Sequence, residues 1–263
     1  MHKRETLKIV LVTLGVLAVI VINALILTED EPDVLDIPET VQTKKGVPDF
    51  TAFTDTKAKK KAFFDYLRPE VEKQNQYLLS LRHYVQTLYR QSLTNEMLSE
   101  DDSERVAWLV EEYRVSDDLS LNNTLLALLE KIDIVPVELV LVQAANESAW
   151  GTSRFARKGY NFFGLWCFSK GCGFVPSRRN DGASHEVAKF DNASRATYTY
   201  MRNLNRHDAY KELREIRSRL RANQLPISGT ALAEGLMNYS ERGAAYVEEL
   251  QAMIQYNEEF LSE

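Results

Sequence analysis

Pro136-Val137-Glu138-Leu139-Val140-Leu141-Val142-Gln143-Ala144-Ala145-Asn146-Glu147-Ser148-Ala149-Trp150-Gly151 is the stretch on which the fold turns. Proline suits a first helical turn, where its missing N–H is not needed. The segment 137–145 reads as apolar on every side, so its helix should be central and buried. That helix runs into Glu147. A carboxylate at the end of a buried helix is costly, because desolvation disfavours its charged form and raises its pKa. The partial negative charge of a helix C-terminus acts in the same direction. A carboxyl still protonated near neutral pH is what a general acid requires. Trp150 is a candidate apolar wall for it. The competing reading pairs Glu147 with Arg154 or Arg157 on a surface turn.

On either side of this helix the pattern is helical. Val71, Leu78, Leu81, Val85 and Leu88 form an a/d-like stripe in a helix read from Pro69 to about Gln91. Ser103 is a candidate cap for a helix through Tyr113, and Leu121–Lys131 should form another. After Glu147 six glycines, from Gly151 to Gly182, mark a loop-rich stretch. Within it 173–178 and 185–190 are predicted to pair as a hairpin across Asn180-Asp181-Gly182. Helices are then expected over about 193–205, 208–222, 229–238 and 244–260. The class is mainly α with one small hairpin (α+β).

The chain has 263 residues, 44% hydrophobic and 27% charged, which suits a globular domain with an extension. A net charge of −6 lacks the basic excess of a nucleic-acid binder. Two cysteines, and histidines at His2, His83, His185 and His207 without metalloprotease spacing, give no zinc motif, and the common phosphate-binding loops are absent. No metal or cofactor is expected.

The N-terminus sets the expected compartment. Residues 9–27 are an apolar run broken only by Thr13, Gly15 and Asn23. Roughly 20 residues at about 1.5 Å each cross a bilayer core. Lys3, Arg4 and Lys8 precede the run, and Glu29, Asp30, Glu31, Asp33 and Asp36 come after it. The cationic flank stays cytoplasmic, so residues 1–8 should be cytoplasmic and the rest of the chain periplasmic. A cleaved signal peptide is the rival, but its core is shorter and Leu25-Ile26-Leu27-Thr28 is a poor cleavage site. An uncleaved inner-membrane anchor is therefore expected. Residues 28–56, acidic and containing Pro32, Pro38 and Pro48, read as a linker dispensable for chemistry. Residues 57–118 read as a helical extension packed on the domain, and 119–263 as the domain itself. Lys57, Lys59, Lys60 and Lys61 read as a solvated helix start, with lipid contact the alternative.

Trp150, Phe155, Tyr160, Phe162, Phe163, Trp166 and Phe168 crowd one stretch. Aromatic faces stack on the apolar faces of sugar rings, and interleaved glycines allow close approach. Most of these rings should be core; Trp166 and Phe163 are expected to face a groove. Cys167 and Cys172 are expected to form a disulfide outside the cytoplasm, buried free thiols being the alternative.

The segment 144–151 resembles the ALESGWG-type motif of bacterial glucosaminidases, the family of flagellar-rod hydrolases and cell-separating autolysins. Asn161-Phe162-Phe163-Gly164 is similar to that family's N-L-F-G element. Ala188-Lys189-Phe190 with Tyr198 and Tyr200 resembles its A-x-F-R-x-Y segment, and Tyr239-Ser240 with Tyr246 its final tyrosine-containing element. Order and spacing agree over about 130–255. The resemblance implies a lysozyme-like α+β fold, peptidoglycan glycan strands as substrate, and cleavage of the β-1,4 bond from N-acetylglucosamine to N-acetylmuramic acid. It implies Glu147 as general acid, Tyr239 as a positioning group, and Trp150, Asn161, Phe163 and Trp166 at the substrate. Many relatives carry a second Glu in the hairpin's first strand; the position falls near Ser177 or Arg178, neither acidic. Asp181 and Glu186 are the nearest carboxylates. Two routes are open: Glu186 as base, or assistance by the substrate's N-acetyl group with Tyr239 positioning it. A noncatalytic peptidoglycan-binding module is the alternative to an enzyme.

Overall fold

The computed structural model describes residues 33–41, 46–94, 96–176 and 185–262. Ile37–Glu263 forms one compact unit. Among the described residues no helix is long and apolar enough to cross a membrane, and the expected span at 9–27 lies outside them.

The longest element is α1, Thr56–Leu93. It begins well before Pro69, which lies inside it. The start signal is Asp55, whose side chain accepts a hydrogen bond from the Ala58 N–H at 2.7 Å. The stripe Val71, Leu78, Leu81, Val85 and Leu88 is buried throughout. It packs α1 against the later helices of this unit. The supposed linker is also corrected in part. Phe50 is fully buried against Phe63 and Tyr66, and Thr40 and the Val41 N–H both bond to the buried Glu70 carboxylate. Apolar burial of one Phe is worth about 2 kcal/mol or more, which anchors the chain at Phe50.

Helix α2, Glu100–Tyr113, is capped by Ser99 and not by Ser103. Ser99 accepts from the Asp102 N–H, and Glu100, Asp101 and Asp102 complement the helix dipole. Helix α3 spans Leu121–Lys131 as the sequence predicts. Helix α4, Val137–Ser148, has Pro136 at its N-cap. Leu139 to Ala145 are all buried, including the polar Gln143, so the segment is enclosed on all sides but not wholly apolar.

A short helix α5, Arg154–Gly159, leads to the sheet. The sheet has three strands, β1 (Trp166–Cys167), β2 (Gly173–Phe174) and β3 (Glu186–Ala188), in the order β1-β3-β2. Pairing of 173–174 with 186–188 agrees with the hairpin expectation. The β1 strand adds an antiparallel partner on the other edge of β3, with Trp166 opposite Val187. The expected turn at 180–182 lies outside the described residues. Helices α6 (Ala193–Arg206), α7 (Lys211–Ala222), α8 (Gly229–Ala233) and α9 (Ala244–Tyr256) come next. The expected last helix is interrupted at Asn257, after which α10 spans Glu258–Leu261.

Asp133, in the connection between α3 and α4, is buried among Arg82 of α1 and Arg217 and Arg221 of α7. Arg221 grips it with two nitrogens. Burial pushes the Asp133 carboxyl up, but the hydrogen bonds and charges of the arginines outweigh it and hold its pKa below the ordinary value. A depressed carboxylate pKa stabilises the fold above the unfolded value and loses that contribution as pH falls through the folded one. Asp133→Ala is expected to cost about 3–5 kcal/mol, because it leaves buried guanidinium groups uncompensated. Urea unfolding at pH 7 measures the gap from the native chain, and the gap should narrow in acid.

Candidate active site

Glu147 is the penultimate residue of α4. The helix is stopped abruptly behind it: Ala149 (φ 51°) and Trp150 (φ 59°) both adopt left-handed backbone, and the Trp150 N–H bonds back to the Ala145 carbonyl at 2.8 Å. The Ser148 hydroxyl donates to the Ala144 carbonyl and accepts from the Gly151 N–H, fixing the turn. Glu147 is thus carried on a rigid, buried helix up to the point where the chain turns away.

Its carboxyl is held from below by a directed chain of hydrogen bonds. Tyr200 of α6 donates to Gln143 Oε1; Gln143 Nε2 donates to the Tyr246 hydroxyl at 2.9 Å; Tyr246 of α9 donates to Glu147 Oε1 at 2.9 Å. Gln143 and Glu147 stand four residues apart, on one face of α4. Burial is the largest influence on Glu147 and raises its pKa; Glu249 adds to this, while the Tyr246 hydrogen bond and Arg242 oppose it. The net shift is upward. The Tyr246 hydroxyl is itself held neutral by burial and by the neighbouring carboxyl.

The other face of the carboxyl opens on a groove of about 960 Å³. Gly164, at φ +66°, allows this opening: a Cβ built there would stand 3.8 Å from Glu147 Oε2, so any longer side chain would invade the space before the carboxyl. Trp166 and Phe168 line the groove and are 59% and 73% exposed. The Trp166 ring stacks on His185 at 4.1 Å, leaving an aromatic platform suited to a sugar face. Tyr239 also lines the groove, its ring stacked on Tyr246 at 5.6 Å and its hydroxyl donating to the Phe163 carbonyl at 2.9 Å. Burial around that hydroxyl raises its pKa and keeps it protonated.

Phe163 lines the groove, its ring 2% exposed and stacked on Tyr200. Other expected site residues lie elsewhere. Trp150 is not a wall of the Glu147 site: it packs on Phe63 and Phe64 and lines a separate hollow with Lys60 and Tyr256. Asn161 is buried, its amide tying the Leu165 backbone and the Ala188 carbonyl together. Glu186 is 6% exposed, with its two oxygens accepting from the Gly171 and Gly173 N–H groups. It braces the loop closed by the Cys167–Cys172 disulfide and is absent from the groove lining. Positions 177, 178 and 181 lie outside the described residues. Among the described groove-lining residues, Glu147 is the one carboxylate. Sequence reasoning passed over Gln143; its signal was the one amide within the apolar run 139–145, one turn before Glu147.

A family model described as mannosyl-glycoprotein endo-beta-N-acetylglucosaminidase matches residues 122–259. Protein bax of Escherichia coli (strain K12) is 30% identical over 221 residues, which span 82% of this chain and 76% of that protein. No solved structure matches the chain.

Tyr246→Phe removes the hydrogen bond that lowers the Glu147 pKa, so that pKa should rise further. Carboxyl-carbon NMR titration of Glu147 in the two proteins measures the direction. The variant also leaves the buried Gln143 amide one partner short, at an expected cost of about 1–3 kcal/mol in urea unfolding.

Proposed function

Because the chain belongs to the glucosaminidase family, we propose that it is a peptidoglycan hydrolase cleaving the β-1,4 bond from N-acetylglucosamine to N-acetylmuramic acid, with Glu147 as general acid. The observation that carries this reading is the Glu147 carboxyl itself. It is the groove's one carboxylate among the described residues, its pKa is raised by burial, and the Tyr246–Gln143–Tyr200 chain fixes its direction. Protonated Glu147 gives its proton to the glycosidic oxygen as the bond to the anomeric carbon breaks. The substrate's own 2-acetamido oxygen bonds to that carbon as the leaving sugar departs, and water then attacks the carbon, freeing the acetamido oxygen and giving a proton back to Glu147. Substrate assistance of this kind is a known departure from the two-carboxylate scheme. It is favoured here over Glu186, whose oxygens are occupied by two backbone N–H groups. Tyr239 donates to the Phe163 carbonyl, so its free lone pair is available to accept the acetamido N–H and turn the acetamido oxygen toward the reacting carbon.

The apolar run at 9–27, with basic residues before it and acidic residues after it, supports a single-pass inner-membrane anchor with the domain in the periplasm. The Cys167–Cys172 bond suits such an oxidising compartment.

A noncatalytic glycan-binding module is the second reading, favoured by the single carboxylate among the described groove residues. Zymography on purified sacculi separates the two. The native chain should clear the sacculi, and Glu147→Gln should lose at least about a hundredfold in activity. A carboxyl with a raised folded pKa stabilises below its unfolded value and ceases to do so as pH rises through the folded value. Glu147→Gln should therefore melt no lower than the native chain at pH 7, which ensures that lost activity is not lost folding. No clearing by the native chain would favour the binding module.

The second catalytic group is tested by a pair of variants. Tyr239→Phe is expected to lower kcat about a hundredfold through misplacement of the acetamido group. Glu186→Gln should leave kcat within a few-fold and act mainly on stability, by about 1–2 kcal/mol, through its weakened hold on the disulfide loop. The reverse order of effects would assign the role to Glu186.

A further inference from the structure

The wall of the groove formed by α6 is cationic. Thr199, Arg202, Asn203 and Arg206 recur at helical spacing and all line the groove. Arg114, the C-cap of α2, and Lys189, just after β3, line it as well. Among the described residues, four cations therefore share one cavity with one carboxylate, in a chain whose net charge is −6. Arg114 and Arg206 also line a second hollow of about 500 Å³, with Trp108, Glu111 and Glu112.

These charges are only partly neutralised. Glu112 takes a hydrogen bond from Arg202 at 2.9 Å and lies 3.5 Å from Arg206. Among the described residues the Arg114 guanidinium and the Lys189 ammonium have no hydrogen-bond or ion-pair partner. Burial first, and then Arg202 and Arg114, lower the pKa of Arg206, while Glu112 raises it: the cations crowd one another more than Glu112 relieves them. Like charges gathered along a concave wall raise the local concentration of anions. A neutral sugar chain does not call for such a wall, whereas a glycan strand with pendant carboxylates does.

We propose that this flank binds the carboxylates carried as side branches on the glycan strand, while the strand itself lies past Trp166 and Glu147. The inference rests on the glycan reading of the groove and extends it to a second binding element. Trp108, Glu112 and Arg114 precede residue 122, where the family match begins. The helical segment ahead of the family domain thus contributes directly to substrate selection. The pendant carboxylates have two sources in peptidoglycan, the acidic peptide branch and the lactyl group exposed when that peptide is removed.

Co-sedimentation of the full-length chain, carrying Glu147→Gln to prevent turnover, tests this on three insoluble probes: intact sacculi, sacculi stripped of peptides by an amidase, and neutral chitin. Intact sacculi should bind at least about fivefold more tightly than chitin, the scale expected of a few partly exposed charge pairs. The preference should shrink at high salt. Arg114→Gln with Lys189→Gln removes the two unpartnered cations at exposed positions and should abolish most of the preference; Arg206→Gln is the independent second variant. Tight binding to intact sacculi alone identifies the peptide branch as ligand; tighter binding to stripped sacculi identifies the lactyl carboxylate, and equal binding shows that the flank accepts either. Chitin bound as well as sacculi, or a preference unchanged in both sets of variants, overturns the proposal. A native chain that fails to clear sacculi yet keeps the binding preference would sink the hydrolase reading and leave this one standing.

Discussion

Everything around the groove depends on a carboxylate that never reaches it. Asp133 lies in the short connection before α4 and is enclosed by Arg82, Arg217 and Arg221. The same arginines reach the backbone at the end of α3. Arg217 donates to the carbonyls of Glu130, Lys131, Asp133 and Ile134, and Arg82 to those of Leu129 and Ile132. Carbonyls at a helix C-terminus have no partner within the helix, and cations satisfy them. Burial brings the Arg217 pKa down to about 10, which still leaves it charged at neutral pH. One ionic knot therefore joins α1, α3 and α7 at the point where α4 begins. The orientation of α4, and with it the position of Glu147, depends on that knot.

At its other end α4 meets a different constraint. Glu147 must be buried enough for its proton to be retained and open enough for a substrate to reach it. Aromatic residues resolve the conflict. Tyr200 comes from α6, while Tyr239 and Tyr246 come from α9 and the loop before it, much later in the chain, and together they wall the buried side. Their hydroxyls stay neutral because burial opposes ionisation, so they serve as donors without adding charge. On the open side Gly164 provides the clearance.

The unit as a whole is larger than the family domain within it. Helix α1 supplies a buried stripe to the core, and Phe50 ahead of it is sealed beneath Phe63 and Tyr66. Arg114 at the end of α2 stands on the groove. The residues before 122 therefore serve both stability and the shape of the site, which explains why no compact boundary separates them from the family domain at 122–259.

The sequence by itself determined the helical class, the limits of α3, the buried course of α4 and the placement of Glu147 at its end. These depend on short-range periodicity and capping chemistry, which act between residues a few positions apart. It read a helix start at residues 57–61 but took Pro69 as the beginning of a separate helix, whereas α1 runs through Pro69 from the Asp55 cap, and it did not find β1, a two-residue strand too short to show alternation. Only the tertiary structure decided how the aromatics meet the groove. Phe163 and Trp166 lie three residues apart in one glycine-rich loop and both line it, yet one ring is buried against Tyr200 and the other stands largely in solvent on His185. The direction of a loop side chain is set by backbone dihedrals and by partners far along the chain, and neither leaves a local pattern. The same holds for Glu186, whose role depends on two N–H groups presented by the disulfide loop, and for Asp133, whose three arginines come from positions 82, 217 and 221. Charge pairing is specified by proximity in space, so it became legible only once the chain had folded.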